Sequence, residues 1–150
     1  MTQQMITSFD ELMRRAASMP GKRVVVIHPR NEETFSAIAD AQRLLPVRFL
    51  LCGDSELIRE ALLTYGIPAS RVDVIECGTA ELALQNGVAL IRDGKGDILM
   101  KGGVDTSTMM KAALRDENGV RTGKLLSDIF ILEFPQHQDN KFVMITDGGM

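Results

Sequence analysis

The chain has 150 residues, of which 45% are hydrophobic and 25% are charged. That mixture is typical of a folded globular domain and excludes a disordered or collagen-like chain. Seventeen Lys and Arg against twenty Asp and Glu give a formal net charge of −3. Nucleic-acid binding normally requires a concentrated basic face, so we expect no nucleic-acid partner.

The sequence also lacks the features of a membrane or secreted protein. No apolar stretch approaches the ~18 residues that a membrane-spanning helix needs. The first 20 residues contain Asp10, Glu11, Arg14 and Arg15, where a secretory signal would have an apolar core. We therefore expect a cytoplasmic protein with no membrane partner.

The first predicted elements are an amphipathic helix and a buried strand. The helix covers residues 5–19 and is ended by Pro20 and Gly21. The run from Val24 to Ile27 is wholly β-branched, which is typical of a strand buried on both faces. A second helix follows, with Asn31 as its predicted cap.

The order of strand, short turn and helix then repeats. Further strands are predicted at 47–51, 72–76 and 97–101, and the helix after the last strand covers 105–114. Short connections between alternating strands and helices imply right-handed crossovers. The predicted fold is therefore α/β, with a doubly wound, mostly parallel sheet covered on both faces.

The pattern changes after residue 115. Two β-rich runs, 125–134 and 141–146, are joined by about six polar residues, which leaves no room for a helix. Strands connected in this way should be antiparallel. We predict that residues 1–124 form an amino-terminal α/β lobe and that 125–150 begin a second lobe.

The two cysteines allow two interpretations. Cys52 and Cys77 each precede a glycine at the end of a predicted strand and lack CxxC spacing. They are either buried thiols or a disulfide or redox pair, and the first interpretation is the commoner one for cysteines at such positions. His28 and His137 have no second ligand near them in sequence, so no metal site is predicted.

The segment after the fourth strand has the strongest chemical signal. In open parallel sheets, ligands bind beyond the carboxyl ends of the strands. Here Gly102 and Gly103 precede a helix that begins with Thr106, Ser107 and Thr108. Glycines, hydroxyls and the positive end of a helix suit a phosphate, and Lys111, one turn further, adds charge. The same residues are equally typical of an ordinary helix cap.

Other polar residues carry weaker signals. Arg30 and Arg92 could each reach an acidic ligand, but a lone surface arginine is usually solvated. Ser127 could face a cleft or solvent, and Asp147 could mark a cleft edge or a tight turn.

Three blocks of the sequence resemble one family, the phosphate acetyltransferases and phosphate butyryltransferases. The blocks are residues 97–114, which include the glycines and hydroxyls above, 119–128 and 145–150. They occur in the family's order. The aspartate-threonine-serine sequence at 105–107 and Lys111 are more similar to the butyryl branch.

The resemblance implies acyl transfer between coenzyme A and inorganic phosphate, which gives an acyl phosphate. Coenzyme A would be a substrate, with no bound metal or redox cofactor. The implied fold has two lobes, similar to isocitrate and isopropylmalate dehydrogenases, with the active site between them. Gly102, Gly103, Thr106, Ser107, Thr108 and Asp147 would bind phosphate or substrate, and Lys111 and Ser127 would be catalytic.

Family members are about twice as long as this chain. We therefore expect it to be an amino-terminal half, inactive alone and part of a homodimer, with the general base and coenzyme A-binding residues elsewhere. Two alternatives remain open. The chain could be a free-standing phosphate-binding or regulatory module, or its loop could be structural and the resemblance could reflect descent without activity.

Overall fold

The structure is a computed structural model that describes residues 6–124, 126–134 and 142–148. In chain order the elements are α1 (Phe9–Ala17), β1 (Lys22–Ile27), α2 (Glu32–Leu44), β2 (Val47–Gly53), α3 (Ser55–Thr64), a 3-10 turn (Ala69–Arg71), β3 (Val72–Glu76), α4 (Ala80–Arg92), β4 (Ile98–Lys101), α5 (Thr106–Ala113), β5 (Ile129–Glu133) and β6 (Phe142–Thr146). Two compact units result, Pro20–Thr122 and Met1–Met19 with Gly123–Met150. The predicted lobe boundary at 124/125 stays a prediction.

The larger unit contains a parallel four-stranded sheet in the order β3-β2-β1-β4. Val25 in β1 lies opposite Leu50 in β2 and Leu99 in β4. The predicted mixed α/β fold with a parallel sheet is therefore confirmed. Strand β1 is central and its last four residues are buried, as expected for an unbroken β-branched run.

Alternate residues of the strands build two cores, one on each face of the sheet. Val24 and Val26 pack in a cluster that includes residues of α2 and α3, such as Phe35 and Ile58. Val25 and Ile27 pack in the other cluster with residues of α4. This alternation follows from the two-residue period of a strand, and it covers both faces of the sheet.

The helices of the sheet unit begin at capping residues, among them the predicted cap Asn31. Asn31 accepts a hydrogen bond from the amide of Thr34, and Thr79 accepts one from Leu82. Asp54 accepts two, from the amides of residues 56 and 57. Each cap satisfies amide groups that lack a partner in the first helical turn.

The smaller unit consists of α1 and the antiparallel pair β5-β6. The amide of Phe9 donates to Glu133 at 2.9 Å, and the rings of Phe9 and Phe142 lie 5.1 Å apart. The antiparallel pairing of the two strands is confirmed. Both strands expose large apolar side chains: Phe130 is 52% exposed and Met144 is 66% exposed.

The predicted bounds of the first hairpin strand were wrong. The strand begins at Ile129, and residues 126–128 lie before it. Its partner strand ends at Thr146, because Asp147 adopts a left-handed backbone with φ of +57° that strand pairing cannot continue. Leu125 and the connection at 135–141 lie outside the described residues.

The described residues include no helix that is both long and apolar enough for a bilayer crossing.

Candidate functional site

The loops after the parallel strands lie along one edge of the sheet. Strand β1 has β2 on one side and β4 on the other, so the chain order reverses between β1 and β4. Ligands of open α/β sheets bind at such a reversal, outside the carboxyl ends of the strands. The two segments that meet here begin at His28 and at Gly102.

Backbone hydrogen bonds from Gly102 and Gly103 join these two segments. The amide of Gly102 donates to the carbonyl oxygen of Ile27 at 2.8 Å, and that of Gly103 donates to His28 at 2.7 Å. A Cβ at Gly102 would lie 2.9 Å from the Cα of Pro29. The glycines therefore permit a close approach of protein backbone, and their N–H groups are not available to an anion.

The hydroxyls at the start of α5 are engaged by Asp105. Its carboxylate accepts from the amide of Thr108 at 2.9 Å, from Ser107 Oγ at 2.7 Å and from Thr108 Oγ1 at 2.6 Å. These hydrogen bonds hold the pKa of Asp105 well below its usual range. The bond from the Thr108 hydroxyl has the largest effect, and the bond from the Ser107 hydroxyl follows. Asp105 therefore caps the helix. Its negative charge also occupies the amide and hydroxyl groups to which a phosphate would otherwise bind.

Two donors at this helix end remain. Within the described part of the chain, the amides of Thr106 and Ser107 have no hydrogen-bond partner. Both belong to the first turn, where the helix dipole favours a negative charge. An anion at this end of α5 would therefore contact backbone amides first.

Lys111 lies in a groove between α4 and α5. The groove has a volume of about 410 Å³, and its lining includes Glu81, Thr108, Lys111 and Arg115. Thr108 and Lys111 are three residues apart, so they occupy the same side of the helix. The structure thus places the predicted lysine next to one predicted hydroxyl, with Arg115 as a second cation.

The smaller unit brings Ser127 and Asp147 to one end of the β5-β6 pair. Ile129 lies opposite Thr146 in the antiparallel register, and the amide of Asp147 donates to the carbonyl oxygen of Asp128 at 3.1 Å. One carboxylate oxygen of Asp128 is buried and has no partner among the described residues. Asp128 was not among the site residues predicted from the sequence.

The two cysteines are buried free thiols at the ends of β2 and β3. Cys77 Sγ accepts a hydrogen bond from the side-chain amide of Asn86 at 3.3 Å. Burial, followed by the neighbouring Cys77, raises the pKa of Cys52 to about 12. A thiol at such a pKa is a poor nucleophile at neutral pH, and the structure matches the buried-thiol interpretation.

His28 and Arg30 stand out in the structure more than in the sequence. His28 adopts a left-handed backbone with φ of +53°, and its Nδ1 is buried with no partner among the described residues. Arg30 Nη1 lies 3.4 Å from His28 Nε2. Both residues directly follow a buried strand in the sequence, and Arg30 carried only the weak signal of a lone arginine that could reach an acidic ligand.

Metal-ligating side chains are dispersed. Within residues 6–124, 126–134 and 142–148, no three His, Cys, Asp or Glu side chains form a group that could hold a metal ion.

The chain is similar to curated phosphate acyltransferases, although no protein-family model matches it. The probable phosphate butyryltransferase of Bacillus subtilis is 31% identical over 93% of this chain and 46% of its own length. The phosphate butyryltransferase of Clostridium beijerinckii is 33% identical over 97% and 47%. A phosphate acetyltransferase of Rhizobium meliloti is 26% identical over 96% and 45%. The chain thus spans slightly less than half the length of these relatives.

Two solved structures share the fold. A branched-chain phosphotransacylase from Enterococcus faecalis superposes with a TM-score of 0.69 at 21% identity, over 86% of this chain and 44% of that chain. A phosphotransacetylase from Staphylococcus aureus gives 0.61 at 15% identity, over 83% and 46%. Over nearly its whole length, the chain is therefore a relative of phosphate butyryl- and acetyltransferases, as the sequence resemblance predicted.

Proposed function

We propose that this chain is part of a phosphate acyltransferase that moves an acyl group between coenzyme A and inorganic phosphate. The observation that carries the proposal is the similarity to two phosphate butyryltransferases, which extends over 93% and 97% of this chain. Acyl-CoA and phosphate are the proposed substrates, with a butyryl-type chain favoured by the higher identity to those two relatives. The chain is the amino-terminal part of the enzyme in this proposal.

The reaction determines what the site must supply. A phosphate oxygen attacks the thioester carbonyl carbon, the new C–O bond forms, and the C–S bond breaks. The sulfur leaves with the electron pair and takes up a proton. Fixed donors that hold the phosphate in line and balance the developing oxyanion lower this barrier without a covalent nucleophile.

The start of α5 is the proposed phosphate position. The free amides of Thr106 and Ser107 and the helix dipole support it, and Lys111 supplies positive charge from the next turn. Gly102 and Gly103 shape the loop and hold it against the end of β1. Thr108 would contribute its hydroxyl once a bound phosphate competes with Asp105.

Ser127 and Asp147 are proposed to contact the acyl group or the leaving sulfur. Their placement at one end of the β5-β6 pair, joined by the bond from Asp147 to Asp128, supports a shared role. The hydroxyl of Ser127 would donate a hydrogen bond to the oxyanion, and the carboxylate of Asp147 would accept one from the substrate.

The proposal extends to location and assembly. We propose a cytoplasmic enzyme that binds no metal or redox cofactor and forms a homodimer. The exposed apolar side chains of β5 and β6 support assembly, because a two-stranded hairpin is only marginally stable without a covering layer.

One observation favours a second candidate, a phosphate-binding module without activity. Residues 20–122 form a unit with core clusters on both faces of the sheet. Such a unit could hold a phosphate at α5 without transferring it.

An activity assay on the full-length native protein separates the two candidates. The measurement is phosphate-dependent release of free thiol from acetyl-, butyryl- and longer acyl-CoA. Release is expected, and absence of release with every acyl-CoA would contradict the transferase proposal. Intact mass tests the chain length, since a native species of 16.5 kDa would contradict the proposed larger enzyme.

A further inference from the structure

We propose that a second small-anion site lies at the carboxyl ends of β1, β2 and β3. A cavity of about 120 Å³ opens there, and its lining includes His28, Arg30, Asp54 and Gly78. The ligand is a single small oxyanion, held by the side chains of Arg30 and His28. Neither the resemblance nor the comparisons assign a role to these residues.

The contact between Arg30 and His28 favours one tautomer of the histidine. Arg30 Nη1 lies 3.4 Å from His28 Nε2, and a guanidinium has donors only. The contact is a hydrogen bond only when Nε2 carries a lone pair. A neutral His28 must then hold its proton on Nδ1, which makes Nδ1 a donor.

That donor is the buried atom without a partner. Nδ1 of His28 is buried and has no hydrogen-bond partner among the described residues. An orphaned buried donor is costly, so an oxyanion that reaches Nδ1 on binding would gain a hydrogen bond there. Burial, followed by the charge of Arg30, lowers the pKa of His28, while Asp54 opposes the shift. Both effects favour the neutral ring, and the contact with Arg30 requires a neutral ring with its lone pair on Nε2.

Arg30 supplies the charge. No carboxylate in the described residues forms an ion pair with it, although Glu32 lines the neighbouring surface groove. Its Cγ and Cδ lie 3.3 Å from the position that a Cβ on Gly103 would occupy. The stem of Arg30 is thus supported by the loop before α5, and its guanidinium keeps free donors for a ligand.

The remaining charges limit the ligand to a low negative charge. Asp54 lines the cavity, but its Oδ1 accepts hydrogen bonds from two amides of α3 at 2.9 and 3.1 Å, which offsets part of its charge. Gly78, another lining residue, directly precedes the cap of α4. The dipole at that end of a helix favours an anion. Arg30 and Asp54 together leave the cavity close to neutral.

The volume limits the ligand to one small group. About 120 Å³ corresponds to roughly four water molecules at ~30 Å³ each. A phosphate monoanion or a small carboxylate fits that space. Both ligands have oxygens that can accept hydrogen bonds from Arg30 and His28.

NMR titration of the 150-residue chain tests the site, with inorganic phosphate and acetate as separate probes. Sodium chloride at equal ionic strength is the reference. We expect amide shifts at His28 and Gly78 with at least one oxyanion, and a shift of the His28 ring nitrogens. Equal shifts with chloride, or no shift with either oxyanion, would overturn the site. A free-state His28 ring protonated at Nε2 would also overturn it.

Variants separate binding from folding. Arg30→Gln should weaken binding about fivefold, the loss expected for one partly exposed charged hydrogen bond, and Arg14→Gln on α1 is the matched control. His28→Gly permits the left-handed backbone and removes the imidazole, so the spectrum should keep its native dispersion while binding weakens. Unchanged binding in both variants would contradict the inference.

The same spectra separate this site from the proposed function. Shifts at Thr106 and Ser107 report the phosphate position at α5. If only those amides respond, the second site is wrong and the α5 position stands. If only His28 and Gly78 respond, the second site stands and the α5 position is wrong.

Discussion

The amide of Gly103 donates to the carbonyl oxygen of His28 at 2.7 Å, and this bond joins the turns that follow β4 and β1. The amide of His28 in turn donates to the carbonyl oxygen of Cys52 in β2 at 2.7 Å. Three strand ends are therefore linked through one residue with a left-handed backbone. The loop before α5 derives its position from this link.

Gly102→Ala should destabilise the fold. The new Cβ would lie 2.8 Å from the carbonyl oxygen of Ile27 and 2.9 Å from that of His28, and neither atom can move without disturbing β1. Overpacking of this kind typically costs about 1 to 3 kcal/mol in the free energy of unfolding. Urea denaturation measures the loss.

Gly78→Ala is the matched control for that experiment. A Cβ at Gly78 would have no heavy atom within 4 Å, so the free energy of unfolding should change by less than about 0.5 kcal/mol. Equal losses in the two variants would show that the contacts around Gly102 are not the cause.

The local pattern of the sequence was sufficient to predict the sheet and its helices. The run from Val24 to Ile27 could belong only to a buried strand or a buried helix segment, and its β-branched residues favoured the strand. Asn31 caps α2 in the structure as the sequence predicts, because capping depends on residues two or three positions apart. Such short-range features require no knowledge of tertiary contacts.

The geometry of the candidate site could not be predicted in the same way. Gly102 and His28 are more than 70 residues apart, and only the pairing of β1 with β4 brings them together. The spacing also could not decide whether the hydroxyls of Ser107 and Thr108 would be engaged by Asp105, as they are in the structure, or by a ligand. Those hydroxyls were equally typical of a cap and of a phosphate cradle, and in the structure they serve the cap.

Lys111→Ala should weaken phosphate binding if Lys111 faces the anion at α5. The loss expected for an exposed charge is about fivefold in the dissociation constant, near 1 kcal/mol. Isothermal titration with inorganic phosphate measures it. Lys95→Ala is the control, because Lys95 precedes β4 and so lies toward the opposite edge of the sheet. Equal affinity for phosphate in both variants would remove Lys111 from the site.

Asp105→Asn should strengthen phosphate binding at α5. Asparagine is also a good helix cap, so the helix should persist while the competing negative charge disappears. The low pKa of Asp105 means that the wild-type side chain stays ionised at every pH suitable for the titration. Asp40→Asn, at an exposed position beside Arg43, should leave the affinity unchanged. Weaker binding in Asp105→Asn would show that the carboxylate helps to hold the ligand.

Cys52 should resist thiol reagents in the folded protein. Its pKa is about 12 against an ordinary value of 9.0, so the folded state favours the neutral thiol. The resulting stabilisation is complete below pH 9 and is lost as the pH rises toward 12. Labelling at pH 8 should be slow in buffer and fast in urea. Rapid labelling of Cys52 in buffer would contradict its burial.

The ion pair between Arg23 and Asp97 should make stability depend on pH in the acid range. Asp97 Oδ2 accepts from the backbone amide of Arg23 at 2.8 Å and from its Nε at 3.1 Å. The side-chain bond from Arg23, followed by the backbone bond, lowers the pKa of Asp97 to about 2 from its ordinary 3.8.

A group whose pKa falls on folding stabilises the protein above its ordinary pKa and loses that effect as the pH falls through the folded value. The urea midpoint of the wild type should therefore exceed that of Asp97→Asn by a constant amount above about pH 5, and the difference should shrink between about pH 4 and pH 2. A difference of the same size at pH 2 and pH 7 would show that the charge of Asp97 has no part in the effect.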